Sequence, residues 1–272
     1  MLFFPFVSGA VNFIFFVLIS LGLYGRLPEF SIFSFVMSIA LAVVSALSSL
    51  IGLLIMKYGK MSVYSVFMML GGMILPYFYG LLFFDETISV PRIIGLVILI
   101  CALPFSAVNP TEEKKAVSAK IYYILCVFIF LLNGTVSIIS KTHSVNISAV
   151  PAANFIVYAN LCSTVINGAA YFIFSLRLGD HRKRKISQET KPSKFYMILT
   201  IAVYAVIGGL GYLFQLIPAK TVPAVAMFPF ITGGSIVLST VLARIFFKEK
   251  ISKITATGIL LSLAGTLLFL IH

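Results

Sequence analysis

Apolar and polar residues follow one another along this chain in long blocks. Nine predominantly apolar runs, at roughly 2–24, 31–56, 63–84, 91–108, 121–140, 150–176, 195–217, 223–247 and 253–271, are separated by short polar stretches. Each run meets or approaches the roughly 20 residues that a helix needs to cross hydrocarbon. In lipid only a helix or a closed barrel satisfies its own backbone. The runs are apolar all round and show no alternation, which predicts helices and not barrel strands. The expected fold class is all-α, a polytopic membrane helix bundle with nine transmembrane helices. The first run has no basic residue ahead of it and no small-residue cleavage site followed by polar sequence, so it reads as a retained helix and not a signal peptide.

Composition supports this and brings in charge. Of 272 residues, 60% are apolar and only 10% charged, with 26 Phe, no Trp and a mean hydropathy of +1.10. That is more apolar surface than a water-soluble fold hides. The formal charge of +12 would suit nucleic acid only on a polar domain, and the longest polar stretch is the connector 177–194, RLGDHRKRKISQETKPSK. Nucleic acid is therefore not an expected partner. When the loops are assigned alternately to two faces, one face collects 16 Lys and Arg, and the other collects 4: Arg26, Arg92, Lys141 and Lys220. Cytoplasmic loops carry the excess of basic residues. This predicts a multi-pass protein of the inner membrane with Met1 inside, His272 outside and 177–194 as a basic cytoplasmic loop. Cys101, Cys126 and Cys162 stand alone inside apolar runs, which supports neither disulfides nor a zinc site.

An ungapped self-similarity organises the runs. FFDETIS at 83–89 returns as FFKEKIS at 246–252, an offset of 163. At that offset Lys57 matches Lys220, Leu47 matches Leu210, Gly71 matches Gly234 and Gly95 matches Gly258. SGAVNFIF at 8–15 also resembles NGAAYFIF at 167–174. Corresponding helices lie five apart, an odd number, so the two copies should cross the membrane in opposite directions. Such inverted repeats are common in secondary transporters, whose substrate sits near the midplane. The expected division is an incomplete first repeat of four helices at 1–110 and a second of five helices at 120–272. Met1 aligns near Asn160, so the first helix of a ten-helix pattern is expected to be missing.

Two copies of about five helices, each with a helix, a short Glu-bearing turn and a Gly-bearing last helix (Phe83 to Gly95, Phe246 to Gly258), resemble the drug/metabolite transporter superfamily, in particular its EamA-like branch. The resemblance covers essentially the whole chain and implies alternating access around a central cavity, with small organic solutes as substrates. It also implies a comparison with the small multidrug resistance branch, where a membrane-embedded Glu stands eight residues before a Lys at the end of a repeat's first helix. Here Lys141 ends the fifth run, and Asn133 occupies the place of the acid. This argues against proton-driven export of cationic drugs.

Ionisable groups at membrane depth are functional candidates by default. All eight acids fall in loops or at run ends, and His143, His181 and His272 read as peripheral. Glu86 and Glu249 read as caps of the helices that follow them. The expected substrate-binding residues are therefore uncharged: Asn12, Ser45, Asn133, Asn160, Asn167, Tyr204, Tyr212, Gln215 and Thr232. Asn160, Ser163, Thr164 and Asn167 share one helical face, and interhelical hydrogen bonding is the alternative role for such groups. Mid-run glycines such as Gly71, Gly72, Gly208, Gly209, Gly211, Gly233 and Gly234 read as close-packing points or hinges. No Asp-rich motif, HxxxD or paired His occurs in the runs, so no catalytic residue, metal or cofactor is expected, and the chain does not read as an enzyme. The function these features predict is secondary transport of a small polar organic solute, with a non-transporting membrane subunit or a lipid translocator as alternatives. The lipid bilayer and a small-molecule substrate are the expected partners, and a homodimer stays open.

Overall fold

The computed structural model of the chain describes residues 3–25, 27–58, 61–106, 119–177, 194–246 and 253–269. Among them every regular element is an α-helix: α1 (Phe3–Tyr24), α2 (Ile32–Tyr58), α3 (Met61–Phe83), α4 (Val90–Ser106), α5 (Ala119–Val145), α6 (Ala152–Arg177), α7 (Lys194–Ala219), α8 (Ala224–Phe246) and α9 (Lys253–Leu268). Seven of these are long and apolar enough to cross a membrane. The other two, α4 and α9, are apolar helices of 17 and 16 residues. At about 1.5 Å per residue their described lengths come to roughly 24–26 Å, a little under the roughly 30 Å thickness of the hydrocarbon. The chain is a multi-pass helical membrane protein. Its helices carry exposed large apolar side chains, such as Leu18, Leu82, Ile207 and Phe214, on surfaces that suit lipid.

The chain divides into two compact units, each assembled from separated stretches. Residues 1–46 and 142–220 form the first unit, in which α1 packs on α6 and α7, and α6 on α7. Small residues let these helices approach: Gly9 lies against Thr164, and Gly209 against Asn12 and Phe16. A buried hydrogen bond from the Ser20 hydroxyl to Asn154 Oδ1, 2.6 Å, ties α1 to the start of α6.

Residues 47–141 and 221–272 form the second unit, in which α4 packs on α9, and α3 and α9 on α8. One core cluster joins Met73 and Tyr77 of α3 to Leu96, Leu99 and Leu103 of α4, Val225 and Ile236 of α8, and Phe269. Another joins Ile55 of α2 to Tyr122, Cys126 and Ile129 of α5. A Cβ on Gly71 would strike the carbonyl of Phe130, so α3 and α5 meet backbone to backbone there.

The close-packing expectation holds for Gly71, Gly72, Gly209 and Gly233, but at Gly208, Gly211 and Gly234 nothing lies within 4 Å of the point where a Cβ would stand. Arg92 and Lys141 are buried within helices α4 and α5 and do not sit in loops. Arg26, Glu249, His181, His272 and most of the connector 177–194 lie outside the described residues.

Candidate functional site

In the second unit the buried polar groups converge on Glu86. Helix α3 ends at Phe83, and Asp85 takes a left-handed conformation (φ 51°), which a short polar side chain tolerates better than most residues. The chain reverses there, and Glu86 N–H returns to the carbonyl of Gly80 at 3.4 Å. The Glu86 carboxylate then accepts from the backbone N–H groups of Ala224 at 2.7 Å and Val225 at 2.9 Å, the opening residues of α8. A carboxylate in this position satisfies amides that have no partner within the helix and complements the positive end of its dipole. The expectation of a cap is thus met on a helix 138 residues away, and not on the helix that follows.

Lys141 completes the arrangement. Helix α5 continues past the end of its apolar run to Val145, which carries Lys141 inside the unit, 4% exposed. Its Nζ donates to the carbonyl of Val222 at 2.6 Å, lies 3.7 Å from Glu86 Oε1 and sits over the Phe84 ring at 5.9 Å. One ion pair therefore fastens the α3–α4 turn, the end of α5 and the start of α8. Eight residues before Lys141, Asn133 Nδ2 donates to the Met68 carbonyl at 2.7 Å, and it lies against Gly72. One amide proton of Asn133 is thereby committed to holding α3 on α5.

In the first unit His143 corrects the sequence reading. It is not peripheral but 1% exposed, stacked on Phe155 at 3.7 Å and parallel to Phe33 at 6.1 Å. Its Nε2 lies 3.0 Å from the Ser34 hydroxyl, whose oxygen also accepts from Val150 N–H at 3.0 Å. The polar run KTHS at 141–144 hides this placement, because a helix end rich in polar residues reads as solvated unless its partners are known.

The polar stripe of α6 bonds largely to its own helix. Asn160 Nδ2 donates to Ile156 O, Thr164 to Asn160 O, and Asn167 Nδ2 to both Ser163 O and its hydroxyl, at 2.7–3.1 Å. Asn12 Oδ1 is buried against Gly209 and has no hydrogen-bond partner. Ser45, Tyr212 and Gln215 are half-buried, and Tyr204 is 62% exposed with its ring 5.2 Å from Phe4. Thr232 is half-buried on α8 in the second unit. Of the nine expected substrate-binding residues, Asn133 and Thr232 belong to the second unit and the rest to the first.

On α7 these residues share a strip with two of the untouched glycines. Tyr204, Gly208, Gly211, Tyr212 and Gln215 follow helical spacing along one edge of the helix. The strip lies between the buried face marked by Ala205, Gly209 and Leu216 and the exposed apolar face marked by Ile207 and Phe214. An amide and two phenols flanking glycines with empty space beside them make a poor lipid surface, because polar groups are costly to place against hydrocarbon. At the repeat offset of 163, Gly208, Gly211 and Tyr212 correspond to Ser45, Ser48 and Ser49 of α2, which is also small and polar.

No family model and no curated protein matches the chain. A solved structure described only as "Crystal structure of protein" superposes with a TM-score of 0.73 over 98% of this chain and 89% of that one, at 13% identity. That likeness is one of fold alone. Among the described residues no group of three or more His, Cys, Asp or Glu side chains could hold a metal ion.

Proposed function

We propose that this chain is a secondary membrane transporter of a small polar organic solute, related to the EamA-like drug/metabolite transporters and working by alternating access between two inverted repeats. The observation that carries this reading is the strip on α7, where Tyr204, Tyr212 and Gln215 flank open space at Gly208 and Gly211. Hydrogen-bonding groups beside open space on the helix surface suit a path for a polar solute better than contact with lipid. The corresponding small, polar stretch of α2 supports the repeat. So does the packing of α1 on α6, α3 on α8 and α4 on α9, each a helix with its counterpart five positions later. On this reading α4 and α9 also cross the membrane, giving nine spans, and the repeats cover 1–110 and 120–272. The protein belongs in the inner membrane and performs no covalent chemistry.

The test uses purified protein in liposomes, with uptake measured for a panel of sugars, amino acids and organic acids. Gly208→Leu and Gly211→Leu together should abolish flux by filling the strip. The fold should survive, because both glycines are exposed and nothing lies within 4 Å of a Cβ at either position. Undiminished flux in a correctly inserted double variant rejects the strip as the path. Absence of flux for every solute, with movement of a fluorescent lipid between leaflets, replaces the carrier with a lipid translocator.

A further inference from the structure

A cavity of about 580 Å³ opens within the first unit, between the α5–α6 turn and the end of α7. Its volume falls in the range of small-molecule sites. Leu213, Leu216 and Ile217 of α7 form an apolar wall, and Lys220 stands directly after that helix. The opposite wall is residues 143–153, and among the described residues no Asp or Glu lines the cavity.

That opposite wall is held in place by hydrogen bonds. Asn146 Oδ1 accepts from Ser148 N–H at 2.8 Å, and the Asn146 carbonyl accepts from Ala149 N–H at 3.2 Å. The Ser31 hydroxyl donates to Ser148 O at 2.8 Å, while Ser34 holds both Val150 N–H and His143. The stacking of His143 on Phe155 fixes the base of the turn. A cavity whose wall is ordered before any ligand arrives loses little conformational entropy on binding.

We infer that this cavity binds an amphipathic organic monoanion, with the carboxylate at Lys220 and the apolar body against Leu213, Leu216 and Ile217. A cation is disfavoured because the described lining offers it no carboxylate. An ammonium-bearing zwitterion lacks a partner for the same reason. A neutral solute would leave the formal charge of Lys220 unused. As a statement of what is transported, the inference rests on the carrier reading above; as a binding site it stands without it.

The probe is radiolabelled benzoate, measured by equilibrium dialysis against full-length protein in nanodiscs of zwitterionic lipid, with empty discs subtracted. Saturable binding is expected, and benzyl alcohol and benzylamine should compete at least roughly tenfold more weakly, since a charge-assisted hydrogen bond contributes about 1.5–3 kcal/mol. Lys220→Gln should weaken benzoate binding by a similar factor, and Lys220→Arg should retain it. Ile217→Trp should block binding by filling the apolar end, with the melting temperature reporting that the protein stays folded. Non-saturable binding, or an unchanged affinity in Lys220→Gln, overturns the assignment.

An anionic lipid headgroup carries the same charge, so the measurement is repeated in discs containing phosphatidylglycerol. Benzoate affinity within twofold of that in zwitterionic discs is expected. Full displacement by the lipid, with lipid retention lost in Lys220→Gln, would make the occupant a membrane lipid and overturn the proposal. Benzoate binding with no flux of any solute would reject the carrier reading but not the site. Flux of another solute with no benzoate binding would do the reverse.

Discussion

Replacing Glu86 by Ala removes the acceptor from two amides at the start of α8 and takes away an anion that lies 3.7 Å from a buried Lys141. Breaking one half of a buried pair costs about 3–5 kcal/mol, more than the pair itself contributes over an apolar replacement. Glu86→Ala should therefore lower the thermal stability of the detergent-solubilised protein sharply, and Lys141→Met less so, because the carboxylate keeps its two amide donors. Equal melting temperatures for wild type and Glu86→Ala would show that the clasp holds nothing. Ser34 is a smaller case of the same kind. Ser34→Ala strands Val150 N–H and a ring nitrogen of His143, at a cost of about 1–3 kcal/mol in the same melt. Asn12 goes the other way, since its Oδ1 is already buried without a partner. Asn12→Leu should leave stability unchanged or raised, and a simultaneous loss of flux would assign Asn12 to the solute path.

At the scale of the helix, two classes of glycine look alike in the sequence and differ in their surroundings. Gly71 abuts the Phe130 carbonyl, whereas Gly208 has open space beside it. Gly71→Ala should destabilise the protein or force α3 and α5 apart. Gly208→Ala should stabilise α7 by roughly 1 kcal/mol, the difference in helix propensity. Melting curves of the two single variants check the contrast, and equal shifts would reject it. Helix α5 shows why an element's end was hard to read. Its apolar run stops at 140, but the helix continues through Lys141 and His143 because Glu86, Val222 and Ser34 satisfy those side chains. Helix existence was legible for every run, since an apolar block of that length has no other stable form in lipid. The target of the Glu86 cap was not legible, because capping depends on which helix start lies nearby in space and not in sequence.

For the whole molecule, the burial of Arg92 and Lys141 bears on orientation. Positive-inside sorting acts on basic residues in loops, and a Lys held by a carboxylate inside the fold is not among them. Neither Arg92 nor Lys141 therefore counts as a loop charge on the less basic face, and the proposed topology keeps His272 outside. A periplasmic-active reporter fused after His272 should therefore be active, and a cytoplasmic-only signal would reverse the proposed topology.

The order of apolar and polar residues is enough to make this a multi-pass helical membrane protein, to set the number of apolar runs and to keep its acids away from the middle of those runs. These features follow from the cost of exposing backbone or charge to hydrocarbon, which acts on each segment independently of its neighbours. It takes the folded chain to show that the compact units draw on separated stretches of chain, that Glu86 meets Lys141 and the start of α8, and that His143 is stacked inside a unit. The folded chain also separates glycines at helix contacts from glycines beside open space. Each of those outcomes depends on which residues distant in sequence are brought within a few ångströms, and no local pattern of apolar and polar positions encodes that.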